Sequence, residues 1–99
     1  MKNLNETISL MQSDDYKKRF IAEYWQTKIR YEKLKALNTK LEADFILHEE
    51  GETDENNICL DFTPDCPYEL LKQQQSIMGE YLHTLELRAV IEGVDLNEY

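Results

Sequence analysis

The amino-acid sequence predicts an all-α protein: a long antiparallel helical hairpin with a short N-terminal helix and an acidic connection, prone to oligomerise. Three observations predict it. Phe20, Tyr24, Thr27, Tyr31, Leu34, Asn38, Leu41 and Phe45 recur at alternating steps of four and three, which is a heptad seam. Neither Gly nor Pro interrupts residues 13–50. Pro67 and Gly93 bracket a second apolar run, Pro suiting the first helical position and Gly the left-handed residue after the last.

Each element follows in turn. Residues 5–12 hold Leu4, Ile8, Leu10 and Met11 in or beside them and read as a short helix capped by Asn5. Ser13 reads as a new N-cap, with Asp14 and Asp15 in the first turn at the positive end of the helix dipole. The long helix then covers 14–49, with Ile21, Trp25 and Ile29 widening its apolar stripe. At 1.5 Å per residue it is about 45–50 Å long and must pack on something of similar length. Gly51 stops it, and residues 50–66 read as an acidic loop and an extended segment. Ile58, Leu60 and Phe62 alternate there as in a strand, but a lone strand has no partner. The second long helix covers 67–92, with Asp65 or Cys66 as its cap. Its apolar side is read as Leu70, Leu71, Ile77, Met78, Tyr81, Leu82, Leu85 and Ala89. The tail docks through Val94 and Leu96 or frays.

The chain of 99 residues makes one domain, 1–99, without internal repeats. A chain this short buries only about 60–65% of its unfolded surface, so a lone hairpin has a thin core and self-association is expected.

The charge is uneven. The chain has 20 acidic and 11 basic residues, a net charge of −9. From Leu41 to Leu71 there is no Lys or Arg, and ten acids. The arms are therefore nearly balanced and the connection is the anion. Direct nucleic-acid binding is disfavoured, since phosphates are repelled. Glu49, Glu50, Glu52, Asp54 and Glu55 instead form an acidic surface suited to a basic protein partner, or simply to solvent. The first ten residues are polar, with no signal sequence, and no segment resembles a membrane span. With two cysteines, Cys59 and Cys66, expected as free thiols, the expected location is the cytoplasm of the host.

No catalytic set stands out. The three glycines form no phosphate loop, and no Ser or Cys sits in a nucleophile elbow. Two cysteines with the distant His48 and His83 lack zinc-ligand spacing, and the acidic run lacks the ligand pattern of a calcium loop. No metal and no cofactor are expected, and the chain reads as non-enzymatic. The aromatic and basic content of the arms points to binding. Tyr stacks on a base, and Arg or Lys neutralises a phosphate. The ligand or partner site is read as Tyr24, Lys28, Arg30, Tyr31, Tyr81 and Arg88. The plainer alternative is a core seam with snorkelling Lys and Arg stems and i,i+4 pairs such as Lys28 with Glu32.

Several stretches together carry a family resemblance. They are Ser13-Asp14-Asp15-Tyr16-Lys17-Lys18-Arg19-Phe20, Glu23-Tyr24, Lys28-Ile29-Arg30-Tyr31-Glu32-Lys33-Leu34, Leu60-Asp61-Phe62-Thr63-Pro64, Cys66-Pro67, Leu70-Leu71-Lys72, Met78-Gly79-Glu80-Tyr81-Leu82 and Leu85-Glu86-Leu87-Arg88-Ala89, closing on Ile91-Glu92-Gly93-Val94. Over roughly Ile8 to Leu96 the chain resembles a family of small helical proteins of tailed phages and prophages of Firmicutes. The resemblance implies a phage origin and a helical hairpin, and supplies no activity. Between Leu47 and Ile58 the chain departs from the family's shorter connection, and the acidic excess lies in that insertion. In plan the hairpin is also similar to phage sponge proteins that oligomerise and sequester cyclic-nucleotide immune signals, a likeness of architecture alone.

Three functions follow as expectations. The first is a counter-defence protein that, as a homo-oligomer, sequesters a cyclic nucleotide or other nucleotide-derived signal. The second is an acidic inhibitor of a basic host defence complex, of the anti-CRISPR kind. The third is a structural or regulatory adaptor.

Overall fold

The computed structural model describes residues 3–49 and 65–97. They are helical, with no strand among the described residues. A 3-10 turn at Leu4–Thr7 runs into α1 (Ile8–Met11), a single helical turn. The two arms are α2 (Tyr16–Glu49, 34 residues) and α3 (Tyr68–Glu92, 25 residues). They are antiparallel. Tyr16 meets Glu92, Tyr24 meets Glu86, Asn38 meets Gln75 and Phe45 meets Tyr68, so partner numbers fall along α3 as they rise along α2. The alternation at Ile58–Phe62 lies outside the described residues.

The helix ends differ in detail from the sequence reading. Ser13 is not the cap of α2. Its Oγ accepts from the Asp15 N–H (3.1 Å), forming a turn that leaves Asp15 as the capping residue. Asp15 Oδ1 accepts from the Lys17 N–H at 3.0 Å, and its carbonyl from Lys18 and Arg19. A carboxylate suits this positive helix end better than a hydroxyl does. At α3 the cap is Pro67 itself rather than Asp65 or Cys66. Its φ of −59° and ψ of 144° are extended, and its carbonyl accepts from Leu70 and Leu71. Gly93 takes the left-handed conformation at φ 70°, and Val94 N–H bonds back to the Ala89 carbonyl at 2.9 Å. That six-to-one bond turns the tail towards the core.

The N-terminal segment is held by a polar relay. Asn3 caps the first turn through Glu6 N–H, and the fully buried Thr7 hydroxyl donates to the Leu4 carbonyl and accepts from Gln26 of α2. Asn3 thus does the capping assigned to Asn5. The tail docks too: Trp25 Nε1 donates to the Leu96 carbonyl at 2.6 Å.

The core sits at one end. One buried cluster joins Phe20 and Tyr24 of α2 to Leu82, Leu85 and Ala89 of α3. A second joins Leu10 to Ile21 and Ala22. Trp25, Val94 and Leu96 pack against both and make them continuous. Farther along the arms only Asn38 and Leu41 are buried among the described residues. Asn38 donates from Nδ2 to the Leu71 carbonyl and to Gln75 Oε1. Its Oδ1 has no partner among the described residues, so this buried amide fixes register at some cost in stability. The molecule is elongated, 54 × 24 × 21 Å. Its Cα radius of gyration of 17.5 Å exceeds the ~13 Å of a compact chain of this length.

The apolar side of α3 is not one stripe. Leu82, Leu85 and Ala89 are buried against α2, whereas Leu70, Ile77 and Tyr81 are 55%, 56% and 41% exposed. At about 100° per residue Leu70 and Ile77 lie about 90–115° around the helix from the middle of the Leu82–Leu85–Ala89 face, and Tyr81 stands on the flank of that face, where its hydroxyl reaches Glu23 of α2.

Candidate ligand-binding edge of the hairpin

The arms of a hairpin leave two edges along their seam. The side chains on each edge follow from helical rows. On α2, Tyr24, Lys28 and Tyr31 lie on one edge; Arg19, Glu23 and Arg30 lie on the other. The six residues predicted from sequence therefore divide. Tyr24, Lys28 and Tyr31 share one edge, while Arg30, Tyr81 and Arg88 share the opposite one.

The tyrosines chiefly tie the arms together. Tyr24 is 6% exposed, and its hydroxyl donates to Glu86 at 2.9 Å. Burial, with the Glu86 bond and charge adding to it, pushes its pKa up to about 12. The Tyr81 hydroxyl donates to Glu23, and this bond to a carboxylate raises its pKa. The Tyr16 hydroxyl donates to Glu92 at 2.7 Å, which raises Tyr16 and holds Glu92 below the usual carboxylate range. Three Tyr-to-Glu bonds thus cross the seam. A hydroxyl donating to a carboxylate is stronger than a neutral pair.

The other predicted residues have identifiable surroundings. Lys28 Nζ pairs with Glu32 at 3.6 Å. Arg30 is exposed, about three turns beyond Arg19 on the same flank. Tyr31 lies over Gly79, where an added Cβ would meet its ring and hydroxyl at 3.6 Å. Glu50, Glu52, Asp54 and Glu55 of the acidic surface lie outside the described residues, as does the side chain of Glu49.

Two depressions face solvent on these edges. The first, about 510 Å³, is bounded by Tyr31, Gly79, Lys72, Gln75, Ser76 and Glu69. It is rich in amides and hydroxyls, with Lys72 its cation. The second, about 470 Å³, lies at the packed end among Met11, Tyr16, Arg19, Phe20, Glu23 and Arg88. Here two guanidinium groups approach one concavity. Arg88 lies 4.6 Å from the Phe20 ring centroid and pairs through Nε with Glu92 at 3.2 Å. Arg19 Nη1 donates to the Ser13 carbonyl at 2.7 Å. A guanidinium has five donors, so these anchors orient both groups without exhausting them. The exposed Tyr16 ring, a thioether and two cations suit a flat ring that carries an anion. Sequence reasoning found Arg88 but not Arg19, Phe20 or Tyr16 as its neighbours. The missing signal was the antiparallel register, which sets residues 16–23 of α2 against 81–92 of α3.

Among the described residues no three His, Cys, Asp or Glu side chains cluster as metal ligands, and no helix is long and apolar enough to cross a membrane. Cys66 is a free, exposed thiol.

A protein-family model described as Sequestin matches residues 14–91, which is both arms and the connection between them. Comparison with curated proteins and with solved structures gives no significant match.

Proposed function

We propose that this chain, which belongs to the Sequestin family, acts without catalysis, by holding a nucleotide-derived signal in the depression between Arg19 and Arg88. The family's name is compatible with sequestration, and the counter-defence setting is taken from the likeness in plan to phage sponge proteins. One observation carries the choice of ligand class. In a chain of net charge −9, two arginines and two aromatic rings converge on one open concavity. Guanidinium groups bind phosphate in a fork, and the half-exposed Tyr16 ring offers a face for a base, while Phe20, buried beneath Arg88, backs the site. Glu23 and Glu92 keep the site from being strongly cationic, so a ligand carrying few phosphates fits better than a polyanion.

Calorimetry with a panel of cyclic dinucleotides and other nucleotide-derived signals tests this reading. Binding at micromolar Kd or tighter is expected for at least one. The Arg19→Ala and Arg88→Ala variants should each weaken it by about tenfold or more, the loss of one charge-assisted hydrogen bond or two. No heat with any of the panel would remove the reading.

A further inference from the structure

α3 carries two apolar seams and α2 covers one of them. Leu71, Gln75, Met78, Leu82, Leu85 and Ala89, at steps of four and three, turn towards α2 and are buried or half-buried. Leu70, Gln73, Ile77, Glu80, Thr84, Leu87 and Ile91 repeat the same steps on the far side. Its apolar members are 55% (Leu70), 56% (Ile77), 51% (Leu87) and 83% (Ile91) exposed. A helix apolar on two opposed faces is built for the interior of a bundle.

We propose that this outer face of α3 is the contact between two copies of the chain, packed antiparallel about Thr84. Charge selects the arrangement. In a parallel pair Glu80 would meet Glu80 and Arg88 would meet Arg88. With a two-fold axis at Thr84, residues equidistant from it meet instead. Ile77 packs on Ile91 of the second copy, Tyr81 on Leu87, and Glu80 pairs with Arg88. This axis leaves Leu70 outside the contact, whereas centring it one heptad earlier, at Ile77, would leave both Leu87 and the more exposed Ile91 outside.

The area is adequate. Ile77, Tyr81, Leu87 and Ile91 together expose roughly 400 Å² per chain, at about 170 Å² for a fully exposed side chain of this size. That lies in the range of the largest apolar patch of a typical monomer, which is often a functional surface. With the stems of Glu80 and Arg88 and the Thr84 face added, the contact stays below the ~800 Å² per partner of a standard interface, which fits a dimer of modest affinity. Arg88 belongs to both surfaces, so the dimer is measured without ligand, and Ile91→Lys, outside the depression, separates failure of the contact from failure of the ligand site.

Sedimentation equilibrium of the full chain tests it, with circular dichroism reporting helix content. Wild type should be a dimer at about 50 µM. Ile91→Lys, at a site 83% exposed and so harmless to the monomer fold, should raise the dimer Kd about 100-fold. Glu80→Arg and Arg88→Glu should each raise it about tenfold, and the double exchange should return it to within about threefold of wild type. A wild-type monomer at this concentration overturns the proposal, as does a dimer indifferent to Ile91→Lys. A double exchange no better than the singles overturns the Thr84-centred arrangement.

Discussion

The two ends of the hairpin are built differently. At the base, residues 7–25 and 82–96 make three layers: N-terminal segment, α2, and α3 with its tail. At the tip, among the described residues, α2 beyond Leu34 meets the first turns of α3, with Asn38 and Leu41 buried and an edge-on Phe45–Tyr68 contact at 5.2 Å. The same seam periodicity runs through both. Among the described residues the difference is the third layer. Fully burying a large apolar side chain contributes about 1.5–3 kcal/mol, and the base does this many times over. The tip relies on register: Asn38 pins α2 to Leu71 and Gln75. The proposed ligand site lies at the base, where its arginines are held by Ser13, Glu92 and the Phe20 ring.

Truncation tests that contrast most severely. Leu85, 2% exposed among base residues, should lose about 3–4 kcal/mol in urea unfolding when replaced by Ala. Leu41→Ala at the tip should lose about 2 kcal/mol, since the thinner packing relaxes into the space. Equal losses would break the distinction between the ends. Amide exchange should agree, with protection highest near Tyr24 and Leu85 and lower beyond Leu41.

The seam tyrosines come next. Tyr16, Tyr24 and Tyr81 all bind their protons more tightly when folded than when unfolded. Their contribution is therefore complete below pH 10 and is lost at higher pH, for Tyr24 as pH rises from 10 to about 12. Thermal midpoints should fall over that range. Tyr24→Phe should lower stability by about 1 kcal/mol at neutral pH and flatten the alkaline fall. Glu92, lowered in the fold, has the opposite sign: its contribution stays above pH 4.5 and is lost on acidification below that. An unchanged alkaline limb in Tyr24→Phe would mean its hydroxyl is not a working tie.

The smallest expected effect is a gain. Gly79 lies within α3, and a Cβ there meets Tyr31 at ordinary contact distance. Gly79→Ala should raise stability by about 0.5–1 kcal/mol through helix propensity. A loss would show that Tyr31 requires the glycine.

Much of this architecture was legible in the sequence, for stated reasons. The seam from Phe20 to Phe45 and the uninterrupted run to Glu49 specify a long helix by period alone, and Gly93 and Pro67 mark the second. What period could not show was depth. Leu70 and Ile77 look as apolar as Leu82 and Leu85, yet they face outwards, because one partner helix covers only part of a helix surface. Caps shifted by one or two residues because Asp15 and Pro67 serve where Ser13 and Cys66 were expected. The predicted site was half legible. Composition pointed to tyrosines and arginines, but only the antiparallel register reveals that the tyrosines meet glutamates and that Arg19 joins Arg88.

An NMR titration tests the central claim most directly. A nucleotide-derived ligand that binds should shift the amides of Arg19, Phe20 and Glu23, the side chain of Arg88, and their neighbours. Shifts should be small around Tyr31, Lys72 and Gln75. Shifts confined to that second depression, or no shift with any ligand of the panel, would contradict the placement of sequestration at the Arg19–Arg88 base.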